Sequence, residues 1–311
     1  MTIGPESSQQ LALRYTKFEW SPVACVRRKT TSPMDRSNPK TTIGVFDSGM
    51  GGLTVLKSLL ELVPNANYLY FGDTARLPYG SKSAEMVAKY ALGATDFLEN
   101  QGANLLVIAC NTATALAFNQ IAQAAHVPVV GVVEPGAEHA ASASKKRKVV
   151  VIGTEATVNS HAYSKALEAR GVQAREKACP LFVPLVEEGW AEHSVTEQVA
   201  RIYLDEAFSE GFESADVLVL GCTHYPLIKS VLDRMTLPGV EIVDSAESTA
   251  RVVAEKLRIK KLGLGGGEKN PTGEDPALKF FATDSVEKFR RLGAKFLGRP
   301  IDFVQHVDLK E

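Results

Sequence analysis

A chain of 311 residues predicts two domains with a cleft between them, because single hydrophobic cores rarely grow beyond about 250 to 300 residues. Hydrophobic residues make up 45% and charged residues 23% of the chain, which excludes a disordered or fibrous protein. Lysine and arginine total 35 against 36 for aspartate and glutamate, so no global field gathers nucleic acid or an anionic membrane. We therefore expect a small-molecule partner, and neither a nucleic-acid nor a membrane partner.

The apolar runs and the cysteines indicate the compartment. No run approaches the roughly 18 apolar residues that cross a bilayer, and the N-terminus lacks the apolar core of a signal peptide. The four cysteines are far apart and form no CxxC pair, so we expect neither a zinc knuckle nor a redox motif. The interpretation is a cytoplasmic protein with free thiols and no metal site.

The predicted elements of the first half alternate strands and helices. Residues 1–40 show no sustained periodicity and indicate a mobile N-terminal extension. An apolar strand that begins at Ile43 ends at a tight turn, Asp47–Gly52, which a helix follows. The next predicted elements are strand 68–71, helix 83–101, and a buried strand, 105–109, that stops at Cys110.

The same arrangement repeats in the second half of the chain. The apolar strand 149–152 leads to Thr154, and the apolar strand 217–220 leads to Cys222. We infer a duplicated α/β unit in which mostly parallel sheets are flanked by helices. Ligands of such sheets bind beyond the carboxyl ends of the strands, so both halves should present a small polar residue or a thiol to one crevice.

We expect two similar domains with the active site in the cleft between them. The predicted domains are residues 41–135 plus 247–311, with Asp47 and Cys110, and residues 136–246, with Cys222. The glycine-rich stretch 263–267 predicts a flexible loop rather than a phosphate-binding loop. The residue pattern of the segment 280–297 that follows is partly helical, and we expect this segment to return to the first domain and close it.

Polar residues follow both cysteines that end a buried strand. Such a cysteine is usually a small core residue, but Asn111-Thr112 follow Cys110 and Thr223-His224 follow Cys222. A reactive thiol needs access and a lowered pKa, which a helix N-terminus and a neighbouring histidine supply. The other two cysteines lack this context, and we interpret them as incidental or structural.

Two carboxylate positions and one glycine-rich turn allow more than one interpretation. Asp47 is either a turn residue or helix cap, or a carboxylate beside the first thiol. Glu187 or Glu188, after an apolar run, is either a surface residue or part of the site. Gly49–Gly52 joins a strand to a helix, but a dinucleotide fingerprint would require glycine where Thr54 stands, so this function is rejected.

Four segments taken together resemble the signature segments of bacterial glutamate racemases, in the same order and at similar spacing. They are Asp47–Gly52, Pro78–Gly80, Ala109–Ala113 and Gly221–Pro226. The similarity runs from about Thr42 to about Leu257, and the last segment resembles the glutamate branch of the aspartate/glutamate racemase superfamily.

The resemblance implies cofactor-independent racemisation of L- and D-glutamate, an isomerase reaction in which two cysteines transfer the proton. Cys110 would be the base toward D-glutamate and Cys222 the base toward L-glutamate. The residues implied to assist the thiols are Asp47, His224 and Glu187. Those implied in substrate binding are Asp47, Ser48, Tyr79, Gly80, Asn111, Thr112, Thr223 and His224, followed by Thr154 and Thr157.

The same resemblance implies a biological role in which D-glutamate is supplied for peptidoglycan synthesis, and hence for cell wall biogenesis and cell shape. It leaves open a homodimer and activation by a peptidoglycan precursor. The sequence also allows two other functions. One is a superfamily racemase or decarboxylase with another substrate, such as aspartate or a hydantoin. The other is a non-catalytic two-domain protein that binds small acids in the same crevice.

Removing residues 1–38 is expected to leave folding and basal racemisation intact, because no segment before Thr42 has a periodic apolar face. Circular dichroism of the truncated protein and its racemisation rate, each compared with the full chain, measure the two properties. A truncated protein that is insoluble, or folded but inactive, would contradict the expectation.

Overall fold

Parallel strands form the centre of the molecule. A computed structural model of the chain describes residues 41–259 and 276–309. The strands in these ranges are β1 (Thr42–Asp47), β2 (Asn67–Gly72), β3 (Leu105–Ile108), β4 (Val129–Gly131), β5 (Lys148–Gly153), β6 (Gln173–Ala178), β7 (Val217–Gly221), β8 (Glu241–Asp244), β9 (Leu278–Ala282) and β10 (Gln305–His306). Each pairing between these strands is parallel.

Helices connect the strands and flank the sheets. They are α1 (Leu53–Leu62), α2 (Ala84–Asn100), α3 (Asn111–Ala124), α4 (Val133–Ala143), α5 (Glu155–Ser160), α6 (Ala162–Glu168), α7 (Phe182–Glu187), α8 (Ser194–Ala207), α9 (Lys229–Met235), α10 (Ser245–Ile259) and α11 (Val286–Leu297). Short 3-10 turns cover Thr74–Arg76, Tyr79–Ser81 and Tyr225–Ile228. The predicted α/β class, with parallel sheets flanked by helices, is confirmed.

The two sheets share one strand order. The first sheet has the order β10-β9-β2-β1-β3-β4, and the second has the order β6-β5-β7-β8. Both sheets therefore contain the same order of neighbouring strands when the strands are numbered along the chain. This order is second, first, third, fourth, and it corresponds to β2-β1-β3-β4 in the first sheet and β6-β5-β7-β8 in the second. The order reverses between the first and third strands, and open parallel sheets bind ligands beyond that point. This reversal of strand order lies between β1 and β3 in the first sheet and between β5 and β7 in the second.

One hydrophobic core connects the sheets. Successive side chains of a strand point to opposite faces, so each sheet has two apolar faces to cover. Val45 of β1 and Val107 of β3 belong to the same buried cluster as Ile152 of β5 and Leu220 of β7. Separate clusters cover the opposite face of each sheet. Because one cluster contains residues of both sheets, the predicted domain boundaries stay a prediction.

The C-terminal segment contains the helix that its sequence pattern predicts and, before it, a strand that the pattern does not predict. Residues 280–297, expected to be partly helical, contain the end of strand β9 and the whole of helix α11. Strand β9 pairs with β2 and extends the first sheet. The predicted N-terminal extension, 1–40, and the predicted loop, 263–267, lie outside the described residues.

No helix in residues 41–259 and 276–309 is long and apolar enough to cross a membrane. The longest predicted helix of the first half is confirmed as α2, with bounds one residue shorter at each end. Its N-terminus is capped by Ser83, whose hydroxyl accepts a hydrogen bond from the Met86 amide at 3.4 Å. Gly102 follows with φ +94°, a conformation that favours glycine just past a helix end.

Helix α7 is held in the second half by one aromatic side chain. Phe182 is fully buried and contacts the ring edges of Tyr203 and Tyr225, at centroid distances of 5.2 and 5.3 Å. Aromatic rings in tilted or edge-on contact stabilise a core beyond the area they bury. Phe182, together with the buried Val186, therefore fixes this short helix against the core.

Replacing Phe182 by alanine is expected to lower the free energy of unfolding by about 3 to 5 kcal/mol, because it leaves a cavity between two tyrosine rings. The matched control is Leu181→Ala at the preceding position, where the side chain is 51% exposed. The control should change the free energy by no more than about 0.5 kcal/mol. Urea unfolding measures both, and equal losses would show that Phe182 does not anchor the helix.

Candidate active site

A cavity of about 390 Å³ lies at the carboxyl ends of the central strands of both sheets. The residues that follow these strands, Ser48 after β1, Cys110 after β3, Thr154 after β5 and Cys222 after β7, all line it. The other lining residues are Leu77, Pro78, Tyr79, Gly80, Asn111, Thr112, Val183, Pro184, Glu187, Thr223, His224 and Lys288. The repeated strand order therefore brings both thiols to one space.

Cys110 is the N-terminal cap of helix α3. Its Sγ accepts a hydrogen bond from the Ala113 amide at 3.4 Å, and the thiol lies 3.6 Å from Ser48 Oγ. Burial raises the pKa of the Cys110 thiol to about 12, and the negative charge of Asp47 acts in the same direction. The lowered pKa expected for a reactive thiol is thus not found at Cys110, because burial outweighs the helix N-terminus.

Asp47 is a buried carboxylate at the end of β1. Its Oδ2 accepts a hydrogen bond from the Gly49 amide at 2.9 Å, whereas Oδ1 has no hydrogen-bond partner among the described residues. Burial raises its pKa, while His224 and nearby backbone amides oppose the rise. Helix α1 starts after Gly52 without a side-chain cap, so Asp47 bonds the turn and does not cap this helix.

The glycines of the turn after β1 permit a close approach to the second half. A Cβ atom at Gly51 would lie 2.3 Å from Thr223 Oγ1 and 2.6 Å from His224 Nδ1. Such distances are shorter than any real carbon contact, so only glycine fits here. The backbone of the turn consequently packs directly against the residues that follow Cys222.

His224 is a buried histidine beside Cys222. Its Nε2 lies 3.3 Å from Glu187 Oε1, and its Nδ1 lies 3.5 Å from Thr223 Oγ1. Burial alone would lower its pKa, but interactions with Cys222 and Glu187 and the charge of Asp47 raise the pKa to about 10. The ring is therefore an imidazolium at neutral pH, next to the second thiol.

Of the two glutamates that the sequence left open, the structure brings Glu187 to the site. Glu187 is the last residue of α7 and bonds both His224 and the Lys288 ammonium, the latter at 3.0 Å. The hydrogen bond with His224 lowers the pKa of Glu187 to about 2, and Lys288 adds to the effect. Glu188 is exposed and does not line the cavity.

Hydroxyl groups from both halves meet on another wall of the cavity. Thr112 Oγ1 lies 2.9 Å from Thr154 Oγ1 and 3.2 Å from Thr157 Oγ1, and the last two atoms are 2.9 Å apart. Asn111 Oδ1 accepts a hydrogen bond from the Tyr163 hydroxyl at 2.7 Å. The buried Nδ2 of Asn111 has no hydrogen-bond partner among the described residues.

Most of the predicted site residues line the cavity, but two lie behind it. Asp47 is behind the first thiol, and Thr157 is behind Thr112 and Thr154. The Tyr79 ring lines the wall, although its hydroxyl donates to Asp73 Oδ2 at 2.6 Å and is thereby occupied. At Gly80 a Cβ atom would lie 3.0 Å from Thr154, so this glycine allows close packing of the wall.

Sequence patterns did not indicate Lys288, Asp73 or Tyr163. Lys288 and Tyr163 bond site residues that are distant in the sequence, and Asp73, which bonds the Tyr79 hydroxyl, lies in the loop after β2. None of the three belongs to a sequence motif. Cys179 is buried with its thiol 3.7 Å from the Lys177 carbonyl, and it does not line the cavity. Cys25 lies outside the described residues.

Comparisons with known proteins find similarity along most of the chain. The profile of the Asp/Glu/hydantoin racemase family matches residues 43–253. The glutamate racemase of Koribacter versatilis is 59% identical over 291 residues, covering 89% of this chain and 99% of the relative. The glutamate racemase isoform RacE1 from Bacillus anthracis is 36% identical, with a TM-score of 0.80 and coverage of 86% and 98%. The Francisella tularensis glutamate racemase, solved in complex with D-glutamate, is 34% identical, with a TM-score of 0.78 and coverage of 87% and 98%.

Replacing Glu187 by glutamine is expected to lower the free energy of unfolding most strongly between about pH 4.5 and 6.5. The folded pKa of His224 is about 10 against 6.5 in the unfolded chain, so its stabilisation is complete below pH 6.5 and is lost as the pH rises toward 10. The folded pKa of Glu187 is about 2 against 4.5, so its stabilisation is complete above pH 4.5 and is lost as the pH falls toward 2.

Urea unfolding at about pH 5.5 and about pH 9.5 measures this effect, and the difference between the two proteins should shrink at the alkaline pH. The matched control is Glu188→Gln, which removes the neighbouring, exposed carboxylate. The control should change the free energy by less than about 0.5 kcal/mol at either pH. A Glu187→Gln effect that grows toward alkaline pH would contradict the pairing with His224.

Proposed function

Because this chain belongs to the Asp/Glu/hydantoin racemase family and is an amino-acid racemase, we propose that it interconverts L- and D-glutamate with two cysteines as acid and base. The observation that supports this most directly is that Cys110 and Cys222 follow equivalent strands of the two sheets and line the same cavity. Glutamate is the proposed substrate because the relatives that match most of this chain are glutamate racemases.

Inversion at the α-carbon requires a group on each face of the substrate. A base removes the α-proton from one face while an acid delivers a proton to the other, and one residue cannot easily do both. In the proposed reaction with L-glutamate, the Cys222 thiolate takes the proton and the Cys110 thiol gives its own to the opposite face. With D-glutamate the roles of the two thiols are exchanged.

The charges around the thiols support this division. His224 is a cation beside Cys222, whereas the charge nearest Cys110 is the carboxylate of Asp47. The His224 cation would stabilise a negative charge that forms on Cys222 when this residue acts as the base, whereas burial and Asp47 disfavour such a charge on Cys110. The ammonium group of a bound amino acid would offset the charge of Asp47 and so favour the Cys110 thiolate in the reverse direction.

The carbanionic transition state needs donors that are already oriented, because a carbon acid beside a carboxylate is very weak. Ser48, Thr112 and Thr223, which carry hydroxyl groups, line the cavity, and helix α3 begins at its wall. The buried Nδ2 of Asn111 adds one more donor. A carboxylate of glutamate bound at this wall would satisfy a buried N–H group that otherwise lacks a partner.

We also propose that the D-glutamate formed serves peptidoglycan synthesis in the cytoplasm, and that no cofactor takes part, since the thiols supply acid and base directly. The homodimer and the activation by a peptidoglycan precursor stay predictions. Circular dichroism of L- and D-glutamate incubated with enzyme freed of pyridoxal phosphate tests the activity itself. Loss of both optical signals at the same rate supports the proposal, and unchanged signals would contradict it.

Single substitutions of the two thiols test the mechanism. Cys110→Ser and Cys222→Ser are each expected to lower racemisation by about 10²-fold or more, because a hydroxyl is too weak a base at neutral pH. The defect should be one-sided toward an analogue that carries a leaving group on the β-carbon. Cys110→Ser should still eliminate from the L enantiomer, and Cys222→Ser should still eliminate from the D enantiomer.

The control is Cys179→Ser, which alters a buried thiol away from the cavity and should leave both eliminations nearly unchanged. If either active-site variant lost or kept both eliminations equally, the assignment of one thiol to each face would be wrong.

A further inference from the structure

Lys288 lies in the cavity wall although it comes from the C-terminal helix, α11. It is the only lysine or arginine among the described residues that line the cavity. Helix α11 lies beyond residues 43–253, where the family profile matches. The side chain of Lys288 is 46% exposed, so the ammonium sits at the rim of the cavity rather than in its depth.

A chain of polar contacts leads from Lys288 to the second thiol. Lys288 Nζ donates to Glu187 Oε2 at 3.0 Å, and Glu187 Oε1 lies 3.3 Å from His224 Nε2. The two oxygens of one carboxylate thus connect α11 to the histidine that adjoins Cys222. A carboxylate held at both oxygens loses most of its freedom to rotate, so Lys288 fixes the direction in which Glu187 meets the ring.

The same helix also contacts the His224 ring directly. The Phe296 ring is buried and stands edge-on to His224, at a centroid distance of 5.1 Å and an interplanar angle of 81°. Lys288 and Phe296 are eight residues apart, a spacing that keeps two side chains on one side of a helix. One side of α11 therefore reaches His224 by two routes.

Helix α11 is itself fixed against the first sheet. Phe289 is fully buried and contacts the Tyr70 ring of β2 at a centroid distance of 5.8 Å. The Tyr70 hydroxyl donates to the Gly49 carbonyl at 3.0 Å, in the turn after β1. The support for His224 thus rests on the part of the molecule that carries the first thiol.

We propose that Lys288 is a positioning residue for proton transfer at Cys222, acting by holding Glu187 so that Glu187 holds the His224 ring beside the thiol. This inference rests on the proposed function, since it assigns the side of the reaction that Lys288 serves. Direct binding of a substrate carboxylate by Lys288 is disfavoured, because its ammonium is already paired with Glu187 at the rim.

Racemisation rates cannot reveal the side, because both directions use both thiols. Elimination of chloride from 3-chloroglutamate can, since only one base acts. The base takes the α-proton, the electrons of the C–H bond form the Cα–Cβ double bond, and chloride leaves. The enamine then hydrolyses to 2-oxoglutarate and ammonia, and the 2-oxoglutarate is measured for each α-configuration.

The test substitution is Lys288→Met, which keeps the length of the side chain and removes its charge. We expect kcat for the L analogue to fall about tenfold, less than the roughly 10²- to 10⁴-fold cost of losing an acid or base outright. Elimination from the D analogue should change less than about twofold, and KM should stay within about twofold for both. Lys288→Arg should restore the L reaction to within about threefold of the original chain, because it keeps the cation.

The matched control is Arg291→Met, which removes an exposed cation from the same helix outside the cavity and should leave both eliminations unchanged. Equal losses with the two analogues, or a KM increase for both, would overturn the proposal and indicate general damage or direct substrate binding. If Cys222→Ser left the L elimination intact in the same assay, the proposed function would have failed instead. The two failures are therefore distinguishable.

Discussion

The contact between the buried His224 ring and the Glu187 carboxylate is the interaction on which this half of the candidate site depends. A charge without water around it must be paired, or its burial would cost several kcal/mol. Glu187 provides the pairing, and this requires α7 to end where its last carboxylate reaches the ring. Phe182 holds helix α7 in place, and Lys288 donates a hydrogen bond to the second oxygen of the Glu187 carboxylate. The position of one ring thereby constrains two helices that are remote in the chain.

The two sheets are alike, but the surroundings of the two thiols are not. Both thiols follow the third strand of the same strand order and are buried to the same extent. The first has a carboxylate as its charged neighbour and the second has an imidazolium. A duplicated unit that kept both environments identical would place like charges on both sides of the substrate. Asp47 beside one thiol and His224 beside the other make the two charged surroundings opposite in sign.

Five of the described strands, β1, β2, β3, β5 and β7, and the two cysteines could be predicted from sequence because each depends on a short apolar segment. Apolar runs that end at Cys110 and at Cys222 define both the sheet and the edge at which the thiols lie. Lys288 could not be predicted, because its partner Glu187 is 101 residues away and neither residue stands in a motif. The sequence also does not predict that the pKa of Cys110 is raised, because the rise comes mainly from the burial of the thiol and not from its neighbours in the sequence.

The three hydroxyls of Thr112, Thr154 and Thr157 have a further consequence for a site that serves mirror-image substrates. Every hydroxyl can donate or accept, so the direction of hydrogen bonding around this triangle can reverse while each oxygen stays in place. The two directions differ only in the rotation of light O–H groups. When one of these hydroxyls turns its single proton toward the cavity, the triangle gives up one hydrogen bond and keeps the other two, so Thr112 or Thr154 can offer a proton or a lone pair without any heavy atom moving. The polarity of this wall can therefore change while its shape stays the same.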